Sequence, residues 1–294
     1  MLNLLLRPLI AFAALASLVG PAQAARVTYQ VGQGPSGLAL QASAGAFQFS
    51  QGPNFDGGYE SLGGGMAALN VMGLVPSSLE GVAFPAETVP IPPEFDPPFI
   101  PVSYNIDLDM ASASYDDQSG VLEQIGFAGG YRLTGSRISG VLAGGTLTLT
   151  DLKIDFLQGV VTADVDATRL PASSSIPGET FSLGDVALWS FSQVVGPIVF
   201  APGTSPLGAA YSAGYDIGVL RLTADGKETL RRSFGLLVTG RAVLNALDND
   251  PTGFGGLSAN VVLTPVPEPG TYVLAVGGVA VVCAAGAARR RRRD

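Results

Sequence analysis

The sequence predicts an all-β body, an antiparallel β-sandwich or a partly closed barrel, followed by one C-terminal transmembrane helix. Three observations support this prediction. The 39 glycines and 21 prolines among 294 residues divide the chain into short segments. Several of these segments alternate apolar and polar residues with the period of a strand. Near the end, an uncharged apolar segment is closed by five consecutive arginines.

Residues 1–24 are predicted to be a secretory signal peptide. Arg7 provides the positive charge, residues 9–19 form the apolar stretch, and Ala22-Gln23-Ala24 is a small-x-small cleavage site. We therefore expect export through the Sec translocon, with signal peptidase cutting after Ala24.

Residues 25–84 are predicted to form an N-terminal β segment. Its strands are expected at 27–31 and 38–49, the second interrupted by Gly45. Three glycines at 63–65 indicate a flexible turn. The next residues, 66–75, suit either a short helix or a strand, and the sequence leaves both possibilities open.

Residues 85–101 contain seven prolines. Because proline lacks a backbone N–H donor, such a run cannot lie inside a sheet and favours polyproline II. The sequence therefore predicts a long loop or connector. A peptide of the Pro-x-x-Pro type, offered to a partner, is the less favoured alternative.

Residues 102–265 are predicted to be the main β domain. Its clearest strand, 102–110, alternates apolar residues with Ser, Asn and Asp. A hairpin is expected from 146–156 and 160–168, and Trp189 is expected in the core. A short helix at 240–247 would be capped by Thr239. The remaining strands are predicted at 121–127, 181–195, 217–223, 234–238 and 259–264.

Composition excludes several classes of function. The chain has no histidine, which removes Ser-His-Asp catalysis and histidine zinc sites. Its one cysteine, Cys283, lies in the predicted membrane span, so the body forms no disulfide. Without Arg7, Glu268 and the charged tail, the body keeps 10 of 16 basic and 22 of 24 acidic residues, a net charge of −12. A nucleic-acid partner is therefore not expected.

Two pairs of aspartates are the candidates for an enzymatic alternative. Asp107 and Asp109, and likewise Asp164 and Asp166, lie on one face of a strand, about 7 Å apart along it. A retaining glycosidase uses carboxyls about 5 to 5.5 Å apart. Solvent-facing aspartates on a sheet are the commoner explanation, so no catalytic residue is predicted.

Asp248, Asn249 and Asp250 are weak calcium candidates. The loop offers oxygen ligands at the density that calcium prefers, but it lacks the length and the final glutamate of an EF-hand. Turn formation explains the same residues equally well. No metal or other cofactor is therefore expected, and a calcium-dependent carbohydrate-binding protein stays open as an alternative.

The C-terminal 29 residues, 266–294, contain three consecutive signals. Val266, Pro267, Glu268 and Pro269 form an extended motif, because each proline restricts its own and the preceding residue. Residues 272–288 follow without a charge, and as a helix they would span about 25 Å, slightly less than a bilayer core of about 30 Å. Arg289, Arg290, Arg291, Arg292 and Arg293 would then hold the end on the cytoplasmic side.

This three-part order resembles the PEP-CTERM sorting signal of exported proteins in Gram-negative bacteria. The resemblance covers residues 266–294 only. It implies processing by an exosortase close to Pro267-Glu268-Pro269, after temporary anchoring in the inner membrane. It also implies a cell-surface or extracellular-matrix setting, with exopolysaccharide as a possible partner.

The sequence thus predicts a non-enzymatic exported protein associated with the surface, the matrix or a biofilm. The first alternative is a polysaccharide hydrolase that uses carboxylates such as Asp107 or Asp164. The second is the calcium-dependent carbohydrate binder. Substitution of one acid, or addition of calcium, would distinguish them.

Overall fold

The computed structural model describes residues 26–34, 38–79, 86–92, 99–116, 118–174, 176–197 and 210–265. These residues are mostly β-strand, in one large antiparallel sheet with few helices. The all-β prediction is therefore confirmed for the body. The predicted signal peptide at 1–24 and the sorting segment at 266–294 lie outside the described residues.

Within the described residues, the chain forms strands β1 to β13, helices α1 to α3 and a 3-10 turn at Tyr59–Ser61. The helices are α1 (Gly64–Met72), α2 (Ala224–Phe234) and α3 (Val238–Ala246). The strands are β1 (Arg26–Gln30), β2 (Leu38–Leu40), β3 (Ala44–Phe49), β4 (Leu74–Ser78), β5 (Ala86–Pro90), β6 (Phe99–Asp116), β7 (Leu122–Ala128), β8 (Gly130–Gly135), β9 (Gly145–Asp155), β10 (Val160–Arg169), β11 (Glu179–Ser190), β12 (Tyr211–Leu222) and β13 (Gly255–Pro265).

Eight strands pair in a closed circuit. The order is β6-β3-β13-β12-β11-β10-β9-β7, and β7 pairs again with β6. The pairing between β11 and β12 is the shortest in the circuit. It consists of Trp189 with Leu222 and Ser190 with Arg221. Strands β1 and β5 flank β6, and β2 flanks β13. The sheet therefore curves back on itself.

A glycine corner joins β7 to β8. Both strands pair with β9, β7 along its second half and β8 along its first. Between them, Gly129 has φ +79° and Gly130 has φ +153°. A Cβ on Gly130 would lie 2.0 Å from the carbonyl oxygen of Leu149. The chain therefore bends here, and β8 leads away from the circuit to β4.

The predicted alternation in β6 is confirmed. Val102, Tyr104, Ile106, Leu108 and Met110 are buried, whereas the polar residues between them are partly or fully exposed. They face a core around Phe47, whose ring lies 5.0 to 6.3 Å from those of Phe49, Tyr131, Trp189 and Phe254. Trp189 is buried in this cluster, as its position in a strand pattern predicted.

The N-terminal segment and the main β domain share the sheet. Strand β1 pairs with β6, β2 and β3 pair with β13, and β4 pairs with β8. Part of the predicted connector at 85–101 is also β structure, because β5 pairs with the first residues of β6. The prolines are tolerated because, among described residues, β5 has one neighbour only and leaves its other edge unpaired.

Helix α1 occupies the glycine-rich stretch that was predicted to be a turn. A Cβ on Gly65 would lie 1.9 Å from the carbonyl oxygen of Phe254, so the helix requires glycine to pack this closely. It ends at Gly73 in the left-handed conformation, and β4 starts at the next residue. The sequence allowed either a helix or a strand for residues 66–75. The structure contains both, because α1 ends at Met72 and β4 begins at Leu74.

The predicted strand at 234–238 is wrong. Phe234 ends α2 and Val238 begins α3, and Phe234 and Leu236 are buried where the two helices meet. Helix α2 was not predicted, although Thr223 and Gly235 bound it. The predicted helix at 240–247 is confirmed as α3, but its N-cap is Leu237 and not Thr239.

None of the helices in the described part of the chain is long and apolar enough to cross a membrane. The span predicted at 272–288 falls outside that part.

Candidate functional site

The outward face of β6, β3, β13 and β12 forms a trough. Asp107 lies opposite Ala46, Ala46 opposite Ser258, and Ser258 opposite Asp216. These four residues line both of two adjoining concavities, of about 450 and 480 Å³. We call the surface lined by Asp107, Ala46, Ser258 and Asp216 the outer trough.

The trough follows from the alternation of its strands. The inward residues are large, and Phe47, Ile106 and Leu257 fill the core. In the central row, the outward residues of the two middle strands, Ala46 and Ser258, are small. Since a small side chain stands less far above a sheet than a large one, the middle strands form the floor and the outer two form the walls.

Each concavity extends the trough along the strands. One continues to Gln48, Asn105 and Gly256. The other continues to Gly214 and Asn260. The two share their central row of residues, so together they form one elongated depression and not a closed cavity.

Asn105 carries an unsatisfied polar atom at this surface. Its side-chain oxygen is buried and has no hydrogen-bond partner in the described protein. Asn105 lies directly opposite Gln48 on β3, and both line the same concavity. A buried polar group without a partner is costly, so Asn105 is a locally unfavourable position beneath this surface.

The electrostatics of the trough are acidic. Asp107 and Asp216 are exposed on the two walls, and their backbones lie three strand spacings, about 14 Å, apart along the sheet. None of the described residues that line either concavity is Lys or Arg. The site therefore favours hydrogen-bond donors and disfavours anions.

The structure separates the two aspartates predicted as a pair on β6. Both are exposed on the outward face, as expected. Asp107 lines both concavities, whereas Asp109 lies opposite Ala44 and does not line either.

The second predicted pair is also divided. Asp166 accepts a hydrogen bond from the hydroxyl of Ser182. Asp164 instead meets Asp151 and Asp185, and the carboxylate oxygens of these three lie within 4.8 Å of one another. The structure thus gathers acids from β9, β10 and β11.

Lys153 is the cation of this acidic group. Its Nζ lies 2.7 Å from Asp151 and 2.9 Å from Asp185. The hydrogen bonds that Lys153 donates to Asp151, and then to Asp185, raise the pKa of Lys153 above its ordinary value. The backbone N–H of Asp185 also donates to Asp164 at 2.9 Å. Donors from the protein itself thus already neutralise part of the negative charge of the three aspartates.

Sequence reasoning missed Asp151 and Asp185. Both have positive φ, 49° and 51°, and both lie near register shifts in their strands. The available signal was the apolar pattern in β9, where Leu147 and Leu149 are followed by Leu152, a step of three and not two. Such a step indicates a β-bulge, which turns an extra residue outward.

The calcium candidates lie in the loop after α3. Asp248 pairs with Lys227, and its carbonyl accepts from Arg221 Nη1 at 2.7 Å. Asp250 Oδ1 accepts from the backbone N–H of Thr252 at 2.8 Å and from its hydroxyl at 2.7 Å, and Oδ2 accepts from Gly64 N–H at 2.8 Å. Both aspartates of the loop therefore make contacts within the protein, and Asn249 lies between them in sequence.

These contacts also shift the pKa of Asp250. Burial raises it, but the hydrogen bonds from Thr252 and Gly64 outweigh burial, so the pKa lies below its ordinary value. The anionic form is therefore stabilised by the protein's own donors.

The residues predicted for sorting lie outside the described residues. They are Ala22 and Ala24 at the signal-peptide site, Val266, Pro267, Glu268 and Pro269 at the sorting motif, and Arg289 to Arg293 in the tail.

Compared with protein-family models, with curated proteins and with solved structures, the chain has no match in any of the three.

Proposed function

We propose that this chain is an exported, non-enzymatic protein of the cell surface or extracellular matrix, sorted and cleaved by an exosortase. Signal peptidase would remove residues 1–24 after Sec-dependent export. Residues 272–288 would then span the inner membrane as a helix until cleavage near Pro267-Glu268-Pro269 releases the body. The body itself would be a partly closed barrel, which the eight-strand pairing circuit supports.

One observation carries the sorting proposal: the order of the Pro-Glu-Pro motif, the uncharged segment and the five arginines. Each of the three parts has its own physical role. The prolines keep the cleavage site extended, the apolar segment enters the bilayer, and the arginines stop transfer. The described β structure reaches Pro265, the residue before the motif.

The body supports the same setting. Its acidic surface keeps it soluble and away from nucleic acid and anionic headgroups. It has no cysteine, and its buried core is large enough to stabilise it without disulfides.

The experiment measures the intact mass and terminal peptides of the full chain, made in a Gram-negative host with and without its exosortase. With the enzyme, we expect a form that begins near Ala25 and ends between Pro267 and Pro269, in the surface or matrix fraction. Without it, we expect the tail to be retained in the inner membrane.

A triple substitution, Pro267→Ala with Glu268→Ala and Pro269→Ala, should also retain the tail. The matched control is Thr271→Ala, two residues beyond the motif, which should be processed normally. If the triple variant were released like the wild type, or if the wild type kept residues 272–294, the sorting proposal would be abandoned.

The two alternatives gain less support from the geometry. The backbones of Asp107 and Asp216 lie three strand spacings apart, about 14 Å along the sheet, so these residues are not neighbours like the paired carboxyls of a retaining glycosidase, about 5 to 5.5 Å apart. Asp164 lies among closer carboxylates, but Lys153 already pairs with two of them. Calcium binding would be seen as a rise in melting temperature on adding calcium, and an unchanged temperature would remove that candidate.

A further inference from the structure

We propose that the outer trough binds a neutral polysaccharide chain. The source of the glycan follows from the proposed matrix role, on which this inference rests. The site itself is inferred from the structure. It assigns Asp107 and Asp216 as hydrogen-bonding residues, and Ala46 and Ser258 as the floor.

The shape of the trough suits a linear polymer. Two concavities that share a central row give an open depression along the strands. A polymer can lie in it and continue beyond both ends, which a closed pocket would prevent. An extended peptide could not bind here as an added strand, because the floor strands β3 and β13 are paired along both edges.

The chemistry of the trough suits hydroxyl groups. Asp107 and Asp216 offer carboxylate acceptors on the walls, and both are exposed to a ligand. A sugar ring carries several hydroxyl groups that can donate hydrogen bonds. Hydrogen bonds to carboxylates are stronger than those between neutral groups. Acidic sugars and phosphates are disfavoured, because the described lining contains no Lys or Arg to pair with them.

The floor lets a flat ring approach the sheet. Gly256 on β13 adds to Ala46 and Ser258, so few side-chain atoms stand between a ligand and the backbone of the floor. A large residue at Ser258 would fill the centre of the trough, since this position lies in the row shared by both concavities. Because Ser258 points outward and is exposed, such a residue leaves the core unchanged.

The test measures binding of the full chain, purified in a non-glycosidic detergent. The neutral probes are dextran, mixed-linkage β-glucan and galactomannan, polygalacturonate is the acidic probe, and polylysine is the cationic probe. We expect binding to at least one neutral polymer. Ser258→Trp should abolish it, and Asp107→Asn should weaken it about tenfold, the loss of one hydrogen bond to a charged acceptor.

Asp109→Asn is the matched control. It removes the same charge from the same face of β6, two residues away, but outside both concavities, so binding should be unchanged. Near-ultraviolet circular dichroism and melting temperature show that each variant is folded. Three results would overturn the proposal: no neutral polymer binds, only polylysine binds, or Ser258→Trp and Asp107→Asn bind as the wild type does.

The binding result and the sorting result are independent. A chain that binds a neutral glycan but keeps its tail in the inner membrane would leave this inference standing and refute the sorting proposal. A chain that is cleaved and released but binds no neutral polymer would refute the inference alone.

Discussion

At the scale of single residues, Asp250 connects distant parts of the chain. Its carboxylate holds its own turn through Thr252 and accepts from Gly64, 186 residues away, at the first turn of α1. A negative charge at the start of a helix is favourable, because the first N–H groups have no partner within the helix. The loop that contains the weak calcium candidates thus also holds the start of a helix.

We predict that Asp250→Asn lowers the free energy of unfolding by about 2 kcal/mol. The amide cannot accept from Gly64 and Thr252 at once without turning an N–H group towards a donor. Urea denaturation measures the change. The control is Asp248→Asn in the same loop, which breaks a solvent-exposed ion pair and should cost less than about 1 kcal/mol. Equal effects of both substitutions would contradict the capping role.

The pH dependence of stability should change with Asp250 as well. Its pKa in the folded protein lies below the ordinary value of 3.8. The stability that it contributes is therefore fully present above pH 3.8 and is lost as the pH falls through the lower, folded pKa. In denaturation series from pH 5 to pH 2, Asp250→Asn should show a smaller acid loss than the wild type.

At the scale of elements, the first residues of α2 and α3 show how well the local sequence predicts where a helix begins. Thr223 Oγ1 accepts from Gly226 N–H at 2.9 Å and caps α2, and Thr223 also donates to the carbonyl of Ala187 on β11. Thr239, which the sequence suggested as a cap, instead lies inside α3. The same residue type therefore has different roles at the two helices.

We predict that Thr223→Ala costs about 1.5 kcal/mol, because it removes a cap and a contact between helix and sheet. Thr239→Ala should change the free energy of unfolding by less than about 0.5 kcal/mol, since alanine is the better helix former. Thermal denaturation of the two variants side by side measures the difference. A larger loss for Thr239→Ala would show that α3 begins where the sequence suggested.

The glycine corner between β7 and β8 offers a second matched pair. Gly130→Ala should cost about 3 kcal/mol or more, because the new methyl group meets the backbone of β9. Gly129→Ala has no atom within 4 Å of its Cβ, so it should cost only the strain of a left-handed alanine, about 1 kcal/mol. Similar losses, measured by urea denaturation, would mean that the corner relaxes easily.

At the scale of the whole molecule, the shared sheet implies one cooperative unit. Phe47 in the N-terminal segment lies 5.4 Å from Trp189, the single tryptophan of the chain. The core therefore joins residues that the proline-rich segment separates in sequence. Unfolding should then be a single transition that involves both segments.

We predict that Phe47→Ala lowers the free energy of unfolding by about 4 kcal/mol and keeps that single transition. Trp189 fluorescence and far-ultraviolet circular dichroism should give the same urea midpoint in both proteins. The control, Gln48→Ala, faces outward on the same strand and should shift the midpoint little. Separate midpoints for the two signals would indicate two independent domains.

The sequence by itself determined the features that depend on local chain geometry. The period-two pattern of β6, the β9-β10 hairpin, the helix at α3 and the chain-end motifs can all be read from neighbouring residues. A strand exposes alternate residues to opposite faces whatever it pairs with, so its buried face was predictable. The strand proposed at 234–238 failed because Phe234 and Leu236, buried at a junction of two helices, have no distinct local pattern.

Only the tertiary structure decided which residues meet. The outer trough draws Asp107, Ala46, Ser258 and Asp216 from four strands, and the acidic group draws Asp151, Asp164 and Asp185 from three. Strand order, register and bulges set these meetings, and a shift of one residue in register would turn each of these side chains to the other face. Register depends on the packing of the entire core, a physical property that no short stretch of sequence contains.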